Sequence, residues 1–349
     1  MLGVVSGIKL SHVASIVSKN RMSIEERCAH LLTPKQAARL ARGTGFKRLS
    51  IAPSEVCTSD LCYRAATELF DRGLVKREEI GALLFISEYP DYPVPATAFI
   101  LQGRLGLPHD IIALDINLGC PGFAYGIYLA SMLLSNMERK VMMCFGGTSS
   151  RDRWKDDTSM LPLFGDGGAV AIVEKTEGGG VNAFYNIDSY GERYDALITR
   201  RGGSRANKIT DLEGNLIETE RSNYEVMDGM AIMDFSLKEA PDNIEKLIEY
   251  AGITKADIDI SLFHQANRMI VEALADKLKI EREKAPFKCE DIGNTTSASI
   301  PICMTELKSR GEFGSFKTAL ISGYGVGLAV SSAVLDLSET NVLETLQYE

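Results

Sequence analysis

The chain is poor in several residue types, and each shortage excludes something. Among its 349 residues there are one tryptophan and four histidines, His12, His30, His109 and His264. Basic residues are in deficit: 38 Lys and Arg stand against 47 Asp and Glu, a formal net charge of −9. A nucleic-acid partner calls for the opposite balance, so none is expected. The seven cysteines, Cys28, Cys57, Cys62, Cys120, Cys144, Cys289 and Cys303, include no C-x-x-C pair. Neither a zinc site nor a redox dithiol is expected from them, and metal ligands are expected nowhere else. An odd set of mostly inert thiols fits a reducing compartment, here the cytoplasm. The opening M-L-G-V-V-S-G-I-K-L has no basic stretch followed by a sustained apolar one, so no signal peptide is expected. Long hydrophobic runs are scarce too. The uncharged run 318–335, T-A-L-I-S-G-Y-G-V-G-L-A-V-S-S-A-V-L, nears membrane-span length, but its glycine-rich middle and β-branched flanks predict two buried strands around a tight turn.

What is present is ordinary globular material, 45% hydrophobic and 24% charged, with length for about two domains. Apolar runs alternate with amphipathic segments, the pattern of an α/β protein. Residues 81–87, 111–117 and 140–146 read as buried strands; 59–72, 121–138, 241–251 and 267–279 read as helices. G-L-V-K-R-E-E-I-G-A-L-L-F from Gly73 is echoed by G-I-T-K-A-D-I-D-I-S-L-F from Gly252, and G-D-G-G-A-V-A-I-V at 165–173 by G-Y-G-V-G-L-A-V-S at 323–331. The echoes predict two similar halves, residues 1–175 and 176–349.

Three segments carry candidate chemistry. In D-I-N-L-G-C-P-G-F-A-Y-G-I (115–127) a strand runs into Gly119, Cys120 and then Pro121, a favoured first helical residue. A cysteine at a helix N-terminus is expected to have a lowered thiol pKa, as a nucleophile requires; a buried structural thiol fits the residue type equally well. In S-L-F-H-Q-A-N-R-M-I (261–270) His264 stands at a strand end, placed for proton transfer or for donating to a carbonyl, or simply satisfied in its turn. In D-I-G-N-T-T-S-A-S-I-P (291–301) Asn294 precedes hydroxylated residues that suit a helix cap, and its neutral amide could instead hold a thioester oxygen.

Taken together and in this order, N-L-G-C-P-G-F, H-Q-A-N and G-N-T-T-S-A-S-I-P resemble the β-ketoacyl-acyl-carrier-protein synthase III family, within the thiolase-fold condensing enzymes. T-G-F-K-R at 44–48, S-D-L at 59–61, F-G-D-G-G-A at 164–169 and M-D-G at 227–229 extend the similarity over nearly the whole chain. The resemblance implies a thiolase fold: two pseudo-repeated βα halves in five αβαβα layers, the first carrying the nucleophile and the second the His and Asn, usually as a homodimer. It implies a cytoplasmic acyltransferase of the fatty-acid-biosynthesis type, without a cofactor or metal. Cys120 would take an acyl primer from an acyl-coenzyme A or acyl-carrier-protein thioester, and decarboxylative condensation with malonyl-acyl-carrier protein would follow. The implied catalytic residues are Cys120, His264 and Asn294. The oxyanion hole would be the N–H groups of Cys120 and Tyr324. Val94, Phe164, Met233, Asn267, Gly323 and Gly325 would line the substrate site.

The chain departs from the family where substrate is recognised. Arg39 and Gly43 stand where a tryptophan and an arginine clamp adenine, Thr158 where a second arginine does, and Val94 where a phenylalanine closes the acyl pocket. Trp154, Arg151 and Arg153 lie nearby as candidate substitutes, and the primer is expected to be something other than simple acetyl-coenzyme A. An acidic carrier protein would need a basic patch, for which Arg200, Arg201, Arg205 and Lys208, or Arg268, Lys277 and Lys279, are candidates. Competing readings are transfer from Cys120 to an alcohol or amine without decarboxylation, a Cys–His hydrolase, and a catalytically silent partner subunit.

Overall fold

The computed structural model describes residues 1–176, 182–200, 202–204, 213, 215 and 224–349. The strands of the first half are β1 (Leu2–Ser6), β2 (Ile8–Ser18), β3 (Arg21–Ser23), β4 (Arg48–Ser50), β5 (Ile80–Ile86), β6 (Ile112–Ile116), β7 (Lys140–Gly147) and β8 (Gly167–Lys175). Those that follow are β9 (Asn182–Ser189), β10 (Leu197–Thr199), β11 (Glu225–Met227), β12 (Ile260–Phe263), β13 (Ala319–Gly325), β14 (Ala329–Leu335), β15 (Asn341–Val342) and β16 (Leu346–Tyr348). The α-helices are α1 (Ile24–Arg27), α2 (Pro34–Thr44), α3 (Thr58–Asp71), α4 (Thr97–Leu105), α5 (Gly122–Leu134), α6 (Gly229–Ala251), α7 (Arg268–Leu278) and α8 (Ser299–Ser309).

Two sheets organise these elements. One has the order β15-β2-β8-β7-β5-β6, with β16 also on β2; the other has the order β1-β9-β14-β13-β12. Helices α5 and α8 touch strands of both sheets and lie between them, whereas α3 and α4 cover the outer face of the first sheet and α6 the outer face of the second. The layers therefore run αβαβα. Three apolar clusters match them. The central one joins Phe123 and Ile127 of α5 and Ile302 of α8 to Leu84, Met143 and Ile321 from the two sheets. The outer two lie under α3 and α4 and under α6 and α7.

The internal echo is visible in the backbone. Gly73 (φ 67) and Gly252 (φ 68) each follow a long helix in the left-handed region, where a residue without Cβ is unstrained. Short 3₁₀ turns, Arg77–Glu79 and Lys255–Asp257, then lead into β5 and β12. The chain ends cross over: β1 pairs with β9 of the second sheet, and β15 and β16 pair with β2 of the first.

The sequence expectations mostly coincide with these bounds, with two differences. Residues 111–117 contain β6, but β6 is an edge strand with Ile112 and Leu114 exposed. Its apolar residues resemble those of a buried strand because only its neighbour, β5, is covered on both faces. Helix α6 starts at Gly229, earlier than expected: Asp228 accepts from the N–H groups of Met230 and Ala231, and Pro241 sits buried inside the helix instead of opening it. Run 318–335 forms the antiparallel pair β13–β14. Among the described residues no helix is long and apolar enough to cross a membrane.

Candidate active site

The nucleophile turn lies between β6 and α5. Gly122 donates to the Gly119 carbonyl at 2.8 Å, and Pro121 takes a helical conformation, so Cys120 stands just ahead of the helix. Its side chain is buried, and its sulfur is met by the backbone N–H groups of Cys120 itself and of Val326. The β13–β14 hairpin holds the turn from the other side. A Cβ at Gly323 would lie 2.5 Å from the Cys120 carbonyl oxygen; one at Gly325, whose φ is +147, would lie 3.1 Å from the sulfur. The Ser331 hydroxyl donates to the Pro121 carbonyl. Glycines at 323 and 325 are thus the condition for bringing the hairpin onto the cysteine. The N–H beside the sulfur belongs to Val326, two residues beyond Tyr324.

The helix terminus does not lower this thiol as the sequence led us to expect. Burial pushes the Cys120 pKa up, and the nearby carboxylates Glu88 and Glu225 push it further; the two backbone donors offset only part of this. The resting group is a thiol.

His264 follows β12, with its N–H on the Ser322 carbonyl at 2.8 Å. It is 2% exposed, and burial pushes its pKa down to about 3, so the imidazole is neutral. Its Nδ1 lies 2.6 Å from the Ser299 hydroxyl oxygen, which also accepts from the Gln265 N–H at 3.4 Å. A Ser299 hydroxyl that donates to Nδ1 leaves the ring proton on Nε2, the tautomer that can donate to a carbonyl oxygen. The Tyr324 ring meets the imidazole edge-on at 5.7 Å, and its hydroxyl donates to the His264 carbonyl at 3.3 Å.

Asn294 is bridged to Phe164: its N–H donates to the Leu163 carbonyl at 2.8 Å, and its carbonyl accepts from Gly165 at 3.0 Å. Its side-chain Oδ1 accepts from the Thr296 N–H at 2.9 Å, which leaves the Nδ2 amide as the donor end. Ser297 ties this turn to the nucleophile side, receiving a hydrogen bond from the Gly146 N–H at 3.0 Å and donating to the Ile86 carbonyl at 2.8 Å. A Cβ on Gly122 would lie 3.2 Å from the Ser297 Cβ. The three sequence segments are therefore packed around one centre, with a thiol and two neutral donors.

The remaining candidates are placed more variously. Phe164 is buried beside Asn294 under the Arg153 guanidinium, 3.8 Å from the ring centroid. Asn267 caps α7, accepting from the Ile270 N–H at 2.9 Å. Met233 is half-buried on α6. Val94 is 82% exposed. Arg39, Gly43 and Thr158 are exposed. Arg151 donates to the Val56 and Pro53 carbonyls and Arg153 is buried in an ion pair, so neither is a free substitute for an adenine clamp. Trp154 packs against Tyr224 with centroids 5.5 Å apart. Of the basic groups, Lys277 and Lys279 are exposed and Arg268 stacks over Phe287 at 5.3 Å; Arg201, Arg205 and Lys208 lie outside the described residues. Among the described residues no cluster of His, Cys, Asp or Glu could hold a metal.

One further group of candidate residues was not singled out from the sequence. A cleft of 840 Å³ opens beside Val326 and Gly327 and is lined by Glu88, Tyr89 and Glu225. Arg153 pairs with Glu225 at 2.9 Å and donates to the Tyr89 hydroxyl at 3.0 Å. Glu88 is pushed up to about 8 by burial and by Glu225, against the pull of Arg153. A signal was present: Glu88 is a charged residue just past the C-terminal end of a buried parallel strand, where α/β folds place their sites.

Comparison with known proteins agrees with this geometry. A family model described as 3-oxoacyl-[acyl-carrier-protein (ACP)] synthase III matches residues 114–191, and one for the C-terminal part of the same family matches residues 248–337. The chain is 32% identical to a β-ketoacyl-[acyl-carrier-protein] synthase III of Enterococcus faecalis, over 84% of this chain and 88% of that one. It is 30% identical to the one of Lactobacillus helveticus, over 85% and 89%. A crystal structure of a 3-oxoacyl-(acyl-carrier protein) synthase from Burkholderia xenovorans superposes with a TM-score of 0.90 at 29% identity, covering 100% of this chain and 99% of that one.

Proposed function

The chain belongs to the β-ketoacyl-[acyl-carrier-protein] synthase III family of thiolase-fold condensing enzymes, and from that premise we propose that it loads an acyl primer on Cys120 and extends it by decarboxylative Claisen condensation with malonyl-acyl-carrier protein. The Cys120 thiol gives up its proton as the sulfur attacks the thioester carbonyl, and the departing thiol of coenzyme A or carrier protein takes a proton in turn. The N–H groups of Cys120 and Val326 receive the oxyanion; Val326 replaces Tyr324 in this role because its N–H is the one beside the sulfur. The malonyl thioester then binds with its carbonyl oxygen between His264 Nε2–H and the Asn294 amide. Loss of CO₂ leaves an enolate that both donors stabilise. Its carbon attacks the acyl-Cys carbonyl, the carbon–sulfur bond breaks, the released Cys120 thiolate takes up a proton from solvent to regain the resting thiol, and the β-ketoacyl product leaves on the carrier.

What supports this reading most is the meeting of the three segments: Ser297 of the Asn294 turn packs against Gly122 of the Cys120 turn, and Ser299 two residues on holds His264, which burial keeps neutral. Hydrogen-bond donors so arranged suit an enolate that forms and is consumed. We read the two halves as 1–175 and 176–349, and the working unit as a homodimer.

The test is intact-mass analysis after exposure to acyl-coenzyme A and acyl-carrier-protein thioesters, followed by malonyl-acyl-carrier protein. A primer-sized mass gain that is lost in Cys120→Ala, with CO₂ release on adding the malonyl donor, supports the proposal. Discharge of the primer to an alcohol or amine without CO₂ release would instead establish simple acyl transfer.

A further inference from the structure

Beside the nucleophile lies a carboxyl group that the condensation does not use. A Cβ at Gly119 would overlap Glu88 Oε2 and come within 2.9 Å of the Val326 side chain, so the carboxyl, the residue before Cys120 and the oxyanion loop converge. Among the described residues Glu88 has no hydrogen-bond partner; only the charges of Glu225 and Arg153 act on it. Arg153 is already committed to Glu225 and Tyr89 and stacks on Phe164. The carboxyl lines the 840 Å³ cleft. Among the described residues the charged lining, Asp152 and Glu225 included, is acidic, while Leu118, Leu197 and Val326 supply apolar wall.

A plain alkyl primer filling this cleft would displace water from the Glu88 carboxyl and give nothing back, which disfavours it. A primer with its own donor would satisfy the group. We propose that Glu88 is a specificity-determining residue: it selects a primer whose acyl chain carries a hydroxyl or amino group near its carbonyl end over an alkyl primer of equal length. This rests on the acyl-Cys reading above and adds the class of primer to it. The logic is that of sites that hydrogen-bond a substrate hydroxyl or amine, which discriminate against the analogue lacking the matching donor.

The experiment measures rates of Cys120 acylation by intact mass, with butyryl, 3-hydroxybutyryl and 3-aminobutyryl groups, each on coenzyme A and on holo-carrier protein. The intact enzyme is expected to load a hydroxyl- or amino-bearing primer at least about tenfold faster than butyryl. In Glu88→Leu the ratio is expected to fall to unity or below. Assayed above about pH 8, where Glu88 carries its charge, Glu88→Gln keeps an acceptor but no charge, so it is expected to retain a preference for the hydroxyl primer and lose any for the amino primer. A ratio of rates cancels a general loss of folded enzyme, and melting curves of both variants check folding directly. Equal loading of the three primers by the intact enzyme, or a preference that survives in Glu88→Leu, overturns the inference while leaving the condensing reading intact. If no primer on either donor labels Cys120, the acyl-Cys reading fails and this inference with it.

Discussion

At the scale of single residues, the site is governed by who already occupies which hydrogen-bonding position. Asn294 presents its amide because Thr296 holds its oxygen, and the Ser299 hydroxyl holds His264 at Nδ1. Ser299→Ala should therefore free the imidazole to turn and to change tautomer. We expect condensation to fall on the order of a hundredfold while primer loading changes by less than about threefold, measured as CO₂ release against acyl-Cys formation. Asn294→Asp should be more damaging to the same step, because a carboxylate repels the enolate. The thiol supplies a pH test. Ionised Glu88 places negative charge near the sulfur and disfavours the thiolate, and Glu88 titrates at about 8. Below that pH it is mostly neutral, so Glu88→Gln should alkylate with iodoacetamide much as the parent does. Above about pH 8 the variant should react faster, its rate profile displaced to lower pH. Coincident profiles across this range would show that the two groups do not interact.

At the scale of elements, the β13–β14 hairpin positions the chemistry. It brings the Val326 N–H to the sulfur, and it can do so only because Gly323 and Gly325 let strand backbone approach the Cys120 turn. Gly323→Ala puts a methyl 2.5 Å from the Cys120 carbonyl oxygen, and neither backbone can move without disturbing a sheet or the start of α5. A destabilisation of about 1–3 kcal/mol, seen as a lower Tm, is expected, together with loss of primer loading. The control is Gly43→Ala on the exposed face of α2, where an added Cβ meets nothing within 4 Å; it should leave both quantities near their starting values. The motif turns were readable because each is defined by neighbours in the chain: a glycine, a proline, a small hydroxylated residue. The outward drift of β6 was not readable, since the same apolar residues serve an edge strand and a buried one.

At the scale of the whole molecule, β6 is left as an edge of the larger sheet, unpaired among the described residues, and apolar side chains gather around it. Ile112 and Leu114 on the strand, Phe99 on α4, and Tyr92 and Val94 on the preceding loop are all exposed. An unpaired edge with apolar neighbours invites another strand, and a second copy of this chain offers the same edge. Leu114→Lys should shift the enzyme from dimer to monomer in sedimentation velocity at micromolar concentration. A parent that sediments as a monomer would remove the homodimer from the proposal.

The sequence alone determined the repeated αβ units, the three turns and the family, because each rests on backbone conformations and spacings that a few adjacent residues impose. Gly73 and Gly252 end helices wherever the rest of the chain lies, and G-N-T-T-S makes its own turn. Only the tertiary structure decided what surrounds the thiol, the donor at the sulfur, the partner of His264 and the carboxyl-lined cleft. These depend on pairs distant in the chain: Val326 with Cys120, Ser299 with His264, Arg153 with Glu225, and Glu88 against Gly119. Burial and charge act through space, so no local pattern encodes them. Whether Cys120 is an inert thiol or a nucleophile was open from its residue type and its turn; burial and the two carboxylates hold the thiol protonated, and the N–H groups at the sulfur together with the His264 and Asn294 turns are what support the proposed nucleophile.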